Sequence, residues 1–144
     1  MQKAVHAAIA YLILAIVFLA CDFVWISLNN SWLYQPVLQP HLASQYDWLA
    51  VGLFYPIYFA GVVVFVVRPL ENRCSAPTFL PGILFGFVSY ATYDLTNQAT
   101  LSGWTWRLTC VDMAWGACAT AVSATLARLV INWLRSARLS QANT

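Results

Sequence analysis

The stretch Val5-His6-Ala7-Ala8-Ile9-Ala10-Tyr11-Leu12-Ile13-Leu14-Ala15-Ile16-Val17-Phe18-Leu19-Ala20-Cys21-Asp22-Phe23-Val24-Trp25-Ile26-Ser27-Leu28 carries one carboxylate and no lysine or arginine. An apolar helix needs about 20 residues to cross the roughly 30 Å hydrocarbon core of a bilayer, so this stretch reads as a membrane span. Three more windows read the same way, at about 48–67, 78–100 and 107–134. The composition agrees: of 144 residues 61% are apolar and only 8% charged, with a mean hydropathy of +0.67, against roughly 25% charged residues in a soluble domain. Seven Lys and Arg and five Asp and Glu cannot coat a water-facing surface. The expected fold is therefore all-α, a polytopic membrane protein built as a four-transmembrane-helix bundle, with one membrane domain over residues 1–144. Disorder, a disulfide scaffold and nucleic-acid binding are excluded, the last because a net charge of +2 makes no phosphate-binding stripe.

The first window has one competing interpretation. Val17-Phe18-Leu19-Ala20-Cys21 resembles a lipoprotein cleavage box, but Phe18 fits it poorly and the apolar run continues through Phe23-Val24-Trp25-Ile26, as a spanning helix would. Orientation follows from Lys and Arg in short flanking segments. Lys3, Arg68, Arg73, Arg135 and Arg138 fall on one side and Arg107 alone on the other. Both termini and the loop 68–77 are thus expected in the cytoplasm, with the loops 29–47 and 101–106 outside and a tail at 135–144; Arg128 snorkels from the fourth span toward the cytoplasmic interface. The expected location is a bacterial inner membrane. The outer loop 29–47 carries Trp32, Leu33, Tyr34, Val37, Leu38 and Leu42 between Pro36 and Pro40, which suits an aromatic anchor in the headgroup layer or a lid.

Ionisable residues inside a span cost about 2.5 to 3.5 kcal/mol each on insertion scales, and this chain has three: Asp22, Asp94 and Asp112. Counted along their helices at 1.5 Å per residue, all three are expected roughly 8 to 10 Å below the outer boundary. Asp22 shares a helix face with Tyr11, Ala15, Phe18, Trp25 and Asn29, and Asp112 heads the small-residue stripe Gly116, Ala119, Ser123, Ala127. Both are expected to face the bundle. The third span carries Gly82-x-x-x-Gly86, a helix-contact signal, on a face continuing to Tyr90, Tyr93 and Asn97. Arg107 is the natural cation for Asp94, across the short turn. Carboxylates that close cannot all ionise cheaply, so at least one is expected to keep a proton near neutral pH. The competing interpretation is structural, with acids that lock helix register through Trp, Tyr, Asn and Thr donors.

Other chemistry is thin. Cys21, Cys74, Cys110 and Cys118 form no CxxC and read as packing residues rather than a redox pair. His6 and His41 are isolated, no metal motif is present, and no motif names a cofactor, although a bound lipid or ring could go unannounced. HExxH, GxSxG and phosphate-loop signatures are missing. Pro56, between Tyr55 and Tyr58, should kink the second span and free a carbonyl.

The run Tyr90-Ala91-Thr92-Tyr93-Asp94-Leu95-Thr96-Asn97-Gln98-Ala99-Thr100-Leu101, then Trp104, then Asp112-Met113-Ala114-Trp115-Gly116, together with Asp22-Phe23-Val24-Trp25, resembles the bacterial membrane family catalogued as domain of unknown function 2177. The resemblance covers nearly the whole chain. It implies a small four-helix inner-membrane protein, carries a suggestion of a lipid-related role, and marks the three aspartates with Tyr93, Thr96, Asn97, Trp115 and Gly116. The function expected is a carboxylate pocket near the outer leaflet that binds, and in one version transports in exchange for protons, a small cationic or amphipathic ligand. Asp22, Asp94 and Asp112 would bind and take up protons, Tyr93, Asn97 and Arg107 would tune them, and Trp25 and Trp115 would wall the pocket. Gly82, Gly86 and Gly116 would pack helices, and a homodimer through small-residue faces would widen the path. The alternatives are a lipid- or fatty-acid-modifying enzyme or its accessory subunit, with one Asp as general acid or base, and a scaffold subunit.

Overall fold

A computed structural model describes residues 2–70 and 77–142; Arg73 and Cys74 fall outside the described residues, as do the side chains of Lys3 and Arg138. Four long helices form, and the described residues contain no strand. We number them α1 (Gln2–Asn29), α2 (Trp48–Val62), α3 (Phe79–Thr100) and α4 (Trp106–Ala142). Helix α2 continues through a π turn, Val63–Val67, and a 3-10 turn, Arg68–Leu70. Asp47 starts it, its carboxylate accepting from the Leu49 and Ala50 backbone N–H at 3.0 and 3.1 Å, which satisfies two of the donors a helix start leaves open.

Three of these units are long and apolar enough to cross a membrane: Ala4–His41, Trp48–Leu70 and Trp106–Ala137. Helix α3 has the length, at 22 residues, but Thr92, Asp94, Thr96, Asn97, Gln98 and Thr100 make its C-terminal half polar. Its N-terminal half presents Leu80, Leu84, Phe87 and Val88 away from the bundle. Leu12, Ile16, Phe23, Leu53, Ile57 and Leu129 are likewise exposed on the other helices, an apolar rind suited to lipid rather than water.

The segment 29–47, expected as a loop, is helical through His41. Helix α1 runs into a π turn, Asn30–Tyr34, a short helix, Gln35–Leu38, and a 3-10 turn, Gln39–His41. Pro36 and Pro40 each sit at the start of one of these short pieces, where the missing N–H costs nothing. This extension covers the end of the bundle that holds the α3–α4 turn: Leu33 and Val37 are buried against Trp104 and Leu108, and the His41 ring lies 3.0 Å from the Ser102 carbonyl. The turn between α3 and α4 is tied by Trp104 Nε1 donating to Thr109 and Thr109 donating to Gln98. Gly103 in that turn has φ +86°, a conformation that side chains other than hydrogen resist.

Helices α3 and α4 pack through their small residues. A Cβ on Gly82 would lie 2.7 Å from the Ala121 Cα, one on Gly86 would strike the Gly116 carbonyl and Thr120, and one on Gly116 would strike the Tyr90 ring. The small-residue faces are therefore consumed inside the chain. The main core holds Ala10, Leu14 and Phe18 of α1, Phe59 and Val62 of α2, and Ala124 and Ile131 of α4. Gly82→Ala is expected to destabilise by about 1–3 kcal/mol, as overpacking against backbone does. Gly52 has open space around it, so Gly52→Ala should stabilise by roughly 0.5–1 kcal/mol through helix propensity. Thermal unfolding of the two variants in one detergent checks the pair.

Candidate functional site

Two of the three aspartates converge on a single aromatic layer between α1 and α4. Trp25 and Trp115 stack there, with ring centroids 4.4 Å apart and planes 4° from parallel. Trp115 Nε1 donates to Asp22 Oδ1 at 3.4 Å, and the Tyr55 hydroxyl donates to Asp22 Oδ2 at 3.0 Å. On the other side Trp25 Nε1 donates to the Tyr34 oxygen at 2.7 Å, and the Tyr34 hydroxyl in turn donates to Asp112 Oδ1. Each helix thus carries an Asp-x-x-Trp unit whose indole serves the carboxylate of the other helix, directly in one direction and through Tyr34 in the other. The π turn after Asn29 is what brings Tyr34 back over Asp112.

Asp94 stands apart. Its side chain is sealed, at 0% exposure, and neither carboxyl oxygen has a hydrogen-bond partner. The expected Asp94–Arg107 pair does not form: Arg107, exposed in the first turn of α4, lies over the Trp32 ring, 4.7 Å from its centroid. The physical reason is direction. Arg107 opens toward the interface where its charge stays hydrated, while Asp94 is on the inward face of α3. Arg107 and Trp32 together tether the extension to α4.

Asp112 also lines a cavity of about 360 Å³ between α2 and α3, shared with Phe54, Tyr58, Ser89, Tyr90 and Tyr93. Tyr58 and Tyr90 meet edge to face there, and the Tyr58 hydroxyl is 2.6 Å from Thr120 Oγ1. Tyr93 is half exposed and edge-on to Trp104 at 5.8 Å. Asn97, one turn on, is half-buried and does not line the cavity. Trp25 and Trp115, expected to wall the pocket, do not touch it either, because they spend their ring faces on one another. Tyr34, Tyr55, Tyr58 and Tyr90 are the participants missed by sequence reasoning. The signal that could have found the layer is the repeated Asp-x-x-Trp at 22–25 and 112–115. No cluster of three or more metal-ligating side chains occurs among the described residues.

The profile of a family described as predicted membrane protein (DUF2177) matches residues 7–129. The chain belongs to that family. No curated protein and no solved structure matches it. The DUF2177 match takes in both Asp-x-x-Trp units, all three aspartates and the Asp112 cavity, and stops short of the last turns of α4.

The bonding fixes how the acids should respond to substitution. A buried carboxyl with no partner is a net cost, and an apolar side chain of similar size relieves it. Asp94→Leu is therefore expected to raise stability by about 1–3 kcal/mol. Tyr34→Phe, which strips Asp112 of its donor, should lower it by a similar amount. Parallel melting curves in detergent decide both, and an Asp94→Leu protein that melts earlier than wild type would show that Asp94 has a partner after all.

Proposed function

We propose that this membrane protein binds a small cationic or amphipathic ligand in the Asp112 cavity. The observation that carries the reading is the lining itself: one carboxylate set among the rings of Phe54, Tyr58, Tyr90 and Tyr93 in about 360 Å³. Aromatic faces attract cations, by about 2 kcal/mol or more where water is excluded, and a carboxylate at the end of such a box supplies the counter-charge. Tyr34 is the single donor to Asp112 among the described residues, so the acid keeps accepting capacity for a ligand. Asp22, with donors from Tyr55 and Trp115, acts instead as the lock between α1, α2 and α4.

We further infer a bacterial inner membrane with both termini in the cytoplasm. Arg135 and His6 lie 3.4 Å apart, so the start of α1 and the end of α4 share one face, opposite Arg107. That partition of basic residues follows the positive-inside rule and sets the Asp112 cavity toward the outer leaflet.

Tetraethylammonium is a suitable probe in lipid nanodiscs, with tryptophan fluorescence as the readout. Asp112→Asn should weaken its binding at least tenfold, whereas Asp94→Asn should leave it within about twofold. A proton and a cation compete for the same carboxylate, so affinity should fall as the pH is lowered in wild type and become flat in Asp112→Asn. Equal binding by wild type and folded Asp112→Asn would overturn the reading.

A further inference from the structure

The Asp112 cavity shares one lining residue with a neighbour. Ser89 also lines a second cavity of about 330 Å³ with Phe65, Pro81, Leu84, Phe85 and Val88. Its hydroxyl is turned back onto the Phe85 carbonyl at 2.8 Å and so presents no free donor to either cavity. Taken as one track along the α2–α3 seam, the two are bordered by rings: Tyr58 lies 6.0 Å from Phe85, and Phe85 stacks on Phe65 at 6.2 Å. From Tyr93 to Pro81 the track follows α3 for twelve residues, about 18 Å at 1.5 Å per residue. One leaflet contributes roughly half of the 30 Å hydrocarbon core, so the track matches a single acyl or alkyl chain in length.

Its chemistry is graded along that length. Asp112 stands at the outer end, and the inner end offers only Phe65, Val66, Pro81, Leu84, Phe85 and Val88 beyond Ser89. Phe65, Leu84 and Val88 are also exposed on the bundle's outer surface, so the groove opens sideways to lipid. Two other cavities among the described residues lack this gradation. The one beside Asp22 adjoins an acid whose oxygens already accept from Tyr55 and Trp115, and the one near Arg68 has no carboxylate.

We propose that the occupant is a single-chain alkylammonium amphiphile, its ammonium head against Asp112 and its tail lying past Ser89 along the α2–α3 groove, entered laterally from the bilayer. This rests on the ligand reading above and names its substrate class. A tail moved from lipid into an apolar groove gains little free energy, since lipid chains are as apolar as leucine. The head must therefore supply most of the affinity and the groove the discrimination.

The test uses octadecylamine bearing a photoreactive diazirine near the chain end, incubated with the full chain in nanodiscs, with cross-linked peptides mapped by mass spectrometry. The expected labels fall on the Phe65–Val66 and Pro81–Phe85 segments, several-fold above those on the lipid-facing residues Ile16 and Val24 of α1. Asp112→Asn and Val88→Trp should each reduce groove labelling at least fivefold. Val88 lines the second cavity and not the Asp112 cavity, so Val88→Trp should still bind tetraethylammonium, which also shows that it is folded; Val88→Phe serves in its place if it does not. Even labelling around the bundle, with tetraethylammonium binding intact, would overturn the tail placement and leave the cation site standing. Groove labelling that ignores Asp112→Asn would overturn the head placement, and loss of tetraethylammonium binding from wild type would remove the reading on which both stand.

Discussion

Two antiparallel helices, α1 and α4, are cross-linked about the stacked Trp25–Trp115 pair, Trp115 donating to Asp22 directly and Trp25 donating to Tyr34, which donates to Asp112. In a solvent without hydrogen-bond donors polar groups must be satisfied from within, and this crossed bonding supplies both indoles with an acceptor and both acids with a donor. It also fixes register. A slide of one turn along either helix would separate Trp115 from Asp22 and Tyr34 from Asp112 at once. Tyr34 then pulls the extension after α1 over the end that holds the α3–α4 turn, and Tyr55 draws in α2. The positions of two other elements thus follow from one layer.

The opposite side of α4 is held by a different force. Gly82 and Gly86 of α3 let its backbone approach Ala121, Gly116 and Thr120 with no side chain between, and close dispersion contact of that kind is the main attraction available between helices in lipid. Toward α3, helix α2 offers Gly61, which admits the tip of the Phe85 ring rather than a backbone. It meets that neighbour through large rings, Tyr58 and Phe65 against Phe85, and rings of that size cannot interdigitate as closely as glycine against alanine. The space left along the α2–α3 seam is a consequence of α3 being drawn tightly to α4 while α2 is drawn to α1.

The apolar runs made the four helices legible. The extension was not legible, because Pro36 and Pro40 signal a loop and only the burial of Leu33 and Val37 beneath Trp104 explains why the helix continues. For the same reason Tyr34 looked like an interface anchor. Helical spacing gave Asp22 and Asp112 their inward direction, but depth counting alone grouped Asp94 with them. What separates it is the identity of the donors, and those come from residues 34, 55 and 115, distant in sequence from the acids they serve. The Arg107–Asp94 pairing failed on a balance that sequence does not display: a guanidinium at the interface keeps its water and a Trp32 face, and neither is available beside Asp94.

The three acids therefore occupy three different situations built from the same side chain. Asp22 accepts at both oxygens and ties helices together. Asp94 accepts at neither and lies sealed in the fold. Asp112 accepts from Tyr34 alone and borders open volume. A carboxylate offers about four lone-pair sites, and hydrocarbon offers none of them a partner. Asp22 borders a cavity too, but with a donor already at each oxygen, whereas Asp112 has a donor at Oδ1 alone among the described residues and a cavity beside it. A leucine or phenylalanine in place of Ser89, which lines both cavities, would fill space there and add buried contact. The space beside Asp112, more than the presence of acids in the membrane, is what the ligand proposal rests on.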